Sequence, residues 1–194
     1  ADDIEIGMGG TLAKYVAAGH NVKIICAIVP CEDLEGNTSK KSKEIRKKEA
    51  IRASKVIGAE LEILDLDPYD FKFDRKYTKL FDKIFRDFGP DELYSCWEKD
   101  SHQDHKTLSN IAISISRKND CSFYMYENMI PGGITSEAFN PQLFVDVSKF
   151  IDKKMKSIET YESVFRNSDF SESIKGRAKY RGRQIGVRYA ESFQ

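Results

Sequence analysis

The stretch GTLAKYVAAGHNVKIICAIV, Gly10 to Val29, changes its period halfway along, and that change decides the fold. In the first half Tyr15 and Val16 follow Leu12 by three and four residues, one face of a helix, and Gly19 stands where such a helix stops. The second half, Val22 to Val29, is a short apolar run rich in β-branched residues. The same alternation continues down the chain. Further β-rich runs occur at Leu61 to Leu66, Glu92 to Trp97 and Ser122 to Tyr126. Helical patterns occupy Gly10–Ala18, Ser42–Gly58, Tyr77–Phe88 and His105–Arg117. Strands alternating with helices predict an α/β fold, a mostly parallel sheet with helices on both faces. Two more helices are expected at Val147–Phe165 and Lys175–Phe193. Phe150, Ile151, Met155 and Ile158 stripe the first, and Ile174, Ala178, Ile185 and Tyr189 stripe the second. With no internal repeat and no low-complexity tract, residues 1–194 read as a single domain.

Composition narrows the function classes. The 31 basic and 31 acidic side chains balance, which argues against nucleic-acid binding by bulk charge. No apolar run approaches the roughly 20 residues of a membrane span. Cys26, Cys31, Cys96 and Cys121 form no CxxC pair and match no disulfide framework, so they read as reduced thiols in a cytoplasmic setting. No signal or transit segment is evident. Two polar loops, Cys31–Lys41 and Glu127–Phe139, flank strand ends, where an open parallel sheet binds its ligands.

Three places there carry chemistry. Asp2-Asp3 runs into Gly7-Met8-Gly9-Gly10, read as a glycine-rich turn opening a helix. Neighbouring carboxylates on an extended chain point in opposite directions, so one could hold a cation and the other face a substrate; an acidic cap on the helix dipole is the simpler alternative. The glycines also admit a dinucleotide loop, although Leu12 occupies the third glycine position. The second place is Asp100-Ser101-His102-Gln103-Asp104-His105, where two of the chain's three histidines flank an aspartate after a strand. His105 shares an inward face with Leu108, Ala112 and Ile115. Imidazole and carboxylate are ligands zinc accepts, and a nearby Asp can orient an imidazole. The third is Arg46, in register with Ala50, Ala53 and Ile57 and so directed inward, suited to an anionic or polyhydroxyl ligand or else to an ion pair with Glu49 or a nearby Asp. His20 reads as a surface turn residue.

Several blocks, in order, resemble the LmbE-like, or PIG-L-type, zinc-dependent N-deacetylases. DDIEIGMGGTLAKYVAAGHNVKII is similar to the family's first block, and SHQDH at Ser101–His105 to its H-P-D-H block, with Gln103 in the proline's place. Arg46-Lys47-Lys48-Glu49 with AIRASKVIGAE resembles its R-x-x-E helix. FVDVSKFIDKKMKSIETYES and RGRQIGVRYAESF resemble its tail blocks. The resemblance implies one Rossmann-like LmbE-like domain over 1–194 that holds one zinc ion per chain. It implies Asp2 as the general base, Asp3 and His105 as zinc ligands, His102 as the group that steadies the oxyanion and protonates the amine, Asp104 as its tuner, and Arg46 as a substrate contact. In the family a third ligand, a His, lies two residues before the first Asp, here just upstream of Ala1, and the first β-strand would lie there too. The implied reaction releases acetate and a free amine from an N-acetylated amino sugar or its conjugate. Assembly into a homo-oligomer is in keeping with the family. The rival expectations are a nucleotide-binding module and a non-catalytic scaffold.

Overall fold

In a computed structural model of the chain, the residues described are 1–31, 39–128, 135, 137–165 and 169–194. The elements run α1 (Asp3–Ala17), β1 (Lys23–Cys26), α2 (Lys40–Ile57), β2 (Glu60–Ile63), α3 (Arg75–Phe88), β3 (Glu92–Cys96) and α4 (Gln103–Ser116). They continue with β4 (Ser122–Tyr126), β5 (Leu143–Asp146), α5 (Ile151–Ile158), α6 (Glu162–Phe165), α7 (Phe170–Gln184) and β6 (Ala190–Phe193). The chain gathers into two compact units, one of Ala1–Leu66 with Phe144–Glu191, the other of Asp67–Leu143 with Ser192–Gln194.

In the first unit β1 and β2 pair in parallel, Lys23 opposite Glu60 through Cys26 opposite Ile63. α2 connects them, because parallel neighbours need a crossover. Its start is capped by Ser39, whose hydroxyl accepts from the Ser42 N–H at 2.9 Å. Its end is Gly58, at φ 90°, a left-handed conformation that glycine adopts without a Cβ penalty. Along α2, Arg46, Ala50, Ala53 and Ile57 are all buried, and the two alanines pack beside Tyr161. The inward stripe predicted for this helix is therefore present.

α1 departs from expectation. The glycines do not form a turn before the helix; they lie within it and are buried. The ladder breaks instead at Met8 (φ −143°, ψ 20°), and a buried ion pair fills the break. Glu191 accepts from the Gly10 N–H (2.9 Å), the Thr11 N–H (2.6 Å) and the Thr11 hydroxyl (2.6 Å). The Ile6 carbonyl, which Gly10 would bond in a regular helix, accepts from Lys154 Nζ (2.8 Å) and Arg177 Nη2 (2.7 Å). Lys154 and Glu191 meet at 2.5 Å with almost no exposure. Two buried charges persist here because each is paired and also hydrogen-bonded. Glycine is required at position 10 by space: a Cβ would sit 2.8 Å from the Val147 Cβ.

The second unit puts α3 and α4 beside β3 and β4. Asp74 caps α3 through the Tyr77 N–H at 3.0 Å, and Tyr77, Phe81 and Phe85 form its buried stripe. β3 and β4 are parallel from Glu92–Ser122 to Cys96–Tyr126. β4 then pairs antiparallel with β6 at Tyr126 and Phe193, fastened by reciprocal Met125–Gln194 bonds of 2.8 and 3.0 Å.

The strands thus form a parallel pair and a mixed sheet of order β3-β4-β6-β5, not one mostly parallel sheet. The expected helix at Lys175–Phe193 stops at Gln184, since Gly186 turns at φ 76° and the Ile185 and Val187 N–H groups fold back on the Gly182 carbonyl; residues 190–193 are strand. The expected helix at Val147–Phe165 is two shorter ones, α5 and α6, and β5 was not anticipated.

Candidate functional site

Asp2 stands at the head of α1 with φ 81°, a conformation rarely held by a side-chain-bearing residue, at a typical cost of about 1–3 kcal/mol. Its carboxylate lies 3.6 Å from Arg46 Nη1, and the two side chains are 15% and 11% exposed. Burial, reinforced by neighbouring Asp3, pushes the Asp2 carboxyl up to about 7, although Arg46 pulls the other way. A carboxyl near neutrality is suited to accept a proton from a substrate or from water. Asp3 opens the helix itself, about one-third exposed. Deeper in the unit, burial holds Glu5 up to about 7, and Tyr161 hydrogen-bonds to it. Glu49, one of the two partners the sequence allowed for Arg46, instead accepts from the Ser163 N–H (2.9 Å) and hydroxyl (2.5 Å). The guanidinium pairs with the nearby aspartate.

In the second unit the residues after β3 converge on Asp100, which is 3% exposed. Its Oδ1 accepts the His102 N–H at 2.9 Å. Its Oδ2 takes His105 Nδ1 at 2.8 Å and Asn128 Nδ2 at 3.3 Å. Burial would raise this carboxyl, but the His105 ring, the His102 N–H and Asn128 hold it below the usual carboxylate range. His102 caps α4: its Nδ1 accepts from the Asp104 N–H at 3.2 Å. With Nδ1 an acceptor, neutral His102 carries its proton on Nε2 and offers it as a donor. The two imidazoles stack with centroids 4.5 Å apart. One turn along α4, the Ser109 hydroxyl bonds the Cys96 carbonyl and anchors the helix to the end of β3.

The structure therefore brings Asp2 to Arg46, with Asp3 adjacent, and brings His102 to His105. Asp104 meets His102 through its backbone. Asp100 had been quoted in the sequence motif without a role; an Asp two residues before the capping His was the available signal. Asn128 carried none, coming from a loop with no period. Of the two loops singled out from the sequence, 32–38, 129–134 and 136 lie outside the described residues. His20 is exposed and packs edge-on against Tyr15. None of the four cysteines forms a disulfide among the described residues, and Cys26 and Cys96 are buried on strands.

For zinc, the donor chemistry fits. Asp3 and His105 are ligand types zinc accepts, and with Asp100 on Nδ1 the other ring nitrogen of His105 is the one that could serve a metal. Beside that imidazole the Asn128 Oδ1 is buried without a hydrogen-bond partner among the described residues. Among those residues no three His, Cys, Asp or Glu side chains gather as a complete cage. No described helix is long and apolar enough to cross a membrane.

An α/β chain with a strained acid beside a buried arginine, and an imidazole pair steered by an aspartate, has the makings of an enzyme of acid–base chemistry on a polar small molecule. The chain belongs to the PIG-L family, GlcNAc-PI de-N-acetylase, which it matches over residues 1–116. It is 23% identical over 210 residues to diacetylchitobiose deacetylase of Thermococcus kodakarensis, covering 100% of this chain and 79% of the relative. Among solved structures it resembles the conserved protein TT1542 of Thermus thermophilus, with TM-score 0.84 and 25% identity over 99% of this chain and 89% of that one. It also resembles the 4-carboxy-2-hydroxymuconate hydratase of Pseudomonas putida, with TM-score 0.82 and 21% identity over 100% and 91%.

Proposed function

We propose that the protein is a zinc-dependent hydrolase that removes the N-acetyl group from an N-acetylated amino sugar or its conjugate, releasing acetate and a free amine. The observation that carries this reading is Asp2: a strained, half-buried carboxyl beside Arg46, in a chain of a deacetylase family. In this reading Asp3 and His105 hold the metal. Zinc, when bound, supplies a Lewis acid for the amide oxygen and makes water more acidic. Asp2 takes the proton of the attacking water. His102 directs its Nε2 proton at the oxygen where charge develops and then passes a proton to the leaving amine, its own being restored by the one Asp2 took from the water, with Asp104 setting its tautomer through the backbone. Arg46 orients the sugar or its conjugated group. Of the glycines that suggested a nucleotide loop, Gly10 is accounted for by its packing against Val147.

The test is acetate release from N-acetylglucosamine and its conjugates, alongside zinc content. Asp2→Asn should abolish turnover while zinc still binds, because Asp2 serves the water and not the metal. No acetate from any such substrate, with water added instead to an unsaturated carboxylic acid, would overturn the reading in favour of a hydratase.

A further inference from the structure

We infer that Asp100 is a positioning residue: its carboxylate fixes the ring orientation and tautomer of His105 and thereby sets the protein's affinity for zinc. This rests on the reading of His105 as a zinc ligand. Asp100 is buried and grips both ends of the histidine segment at once, the His102 N–H on one oxygen and the His105 ring on the other. Only a carboxylate can do this. Asparagine has a single acceptor oxygen, so one of the two donors would face an NH₂ group. The bond to Nδ1 requires the proton on that nitrogen and leaves the metal bond to Nε2. Asn128 adds a further donor to the same Oδ2, and Ser109 fixes the helix that carries His105. The imidazole is thus set from the strand end, the helix and the β4 side of its unit before any metal arrives. Partners of ligating histidines commonly contribute about 10–100-fold to metal affinity.

The experiment measures zinc affinity of metal-stripped full-length protein by competition with a chromophoric chelator. Asp100→Asn should weaken zinc by about 10–100-fold with the circular dichroism of the metal-free protein unchanged. Asp100→Glu, which keeps the carboxylate but moves it by a methylene, should fall between the two. Wild-type affinity in Asp100→Asn would overturn the inference. Should that variant fail to fold, nitrogen-15 NMR of metal-free wild type decides: a proton on His105 Nδ1 supports the assignment, and one on Nε2 overturns it. His105→Ala separates the layers. If it loses zinc while Asp100→Asn does not, this inference alone fails; if it binds zinc like wild type, the ligand reading fails with it.

Discussion

Arg46 illustrates what one side chain can settle. At 3.6 Å from Asp2 its contact is ionic and too long to count as a tight hydrogen bond, so the planar fork of donors is not spent on that aspartate. Such a fork can grip sugar hydroxyls or a phosphate in two places at once. Arg46→Ala should lower kcat/KM by about 10–100-fold, the worth of one or two charge-assisted hydrogen bonds, with zinc content unchanged. Arg46→Lys should recover only part, since a point charge lacks the geometry. Glu49→Ala tests a different contact, the bonds to Ser163, and should lower the melting temperature while leaving kcat/KM near wild type. Steady-state kinetics on the three variants check this, and equal losses in all three would return Arg46 to a structural role. The inward direction of Arg46 was readable from its spacing to Ala50, Ala53 and Ile57. Its choice of aspartate was not, because the partner lies 44 positions earlier in the chain and nothing local announces it.

At the scale of the element, α1 shows where pattern reading stops. Gly7, Gly9 and Gly10 are helix breakers by propensity, so they read as a turn; tertiary contacts overrule that preference by burying them. Gly10→Ala would improve local propensity, yet its methyl would press on Val147. The net expectation is a loss of about 1–3 kcal/mol, read by denaturant titration; a gain would show that Val147 can move aside. Glu191→Leu should cost about 3–5 kcal/mol, because Lys154 is left charged and buried. Glu191→Gln should cost less, keeping an acceptor for the Gly10 and Thr11 N–H groups. Helices with a strong apolar stripe were legible: α3, with Tyr77, Phe81 and Phe85 buried, was expected at Tyr77–Phe88 and runs Arg75–Phe88. The last strand was not: Ile185 and Tyr189 continue the helical spacing of Ile174 and Ala178, and only the conformation of Gly186 interrupts it.

For the molecule as a whole, stability at low pH is expected to depend on an exposed charge cluster. Asp70 bonds Lys76 (2.6 Å), the Tyr77 hydroxyl (2.8 Å) and Lys72 (3.3 Å), and those groups, Lys76 first, hold its carboxyl well below the usual carboxylate range. A folded carboxyl so depressed contributes stability above the unfolded value, about 3.9, and loses it as pH falls further. Asp70→Asn, which keeps an acceptor for Tyr77, should therefore melt slightly below wild type at neutral pH. The gap should close below about pH 4 and shrink in high salt. A gap of equal size at about pH 2.5 would mean that charge is not its source. The α/β alternation was legible because each strand and helix carries its own period. The split of the strands into a parallel pair and a mixed sheet was not, since strand direction depends on which neighbour a strand finds.

The ion pair in the α1 break also orders events in time. Glu191 lies 181 residues beyond the Gly10 N–H that it receives. At about 5–20 residues per second a ribosome needs on the order of 10–40 s to cover that distance. Throughout that interval the nascent first helix holds unfilled donors at its break. α1 is thus finished by β6, and a growing chain stalled before Glu191 should be far more open to protease around Met8 than the folded protein.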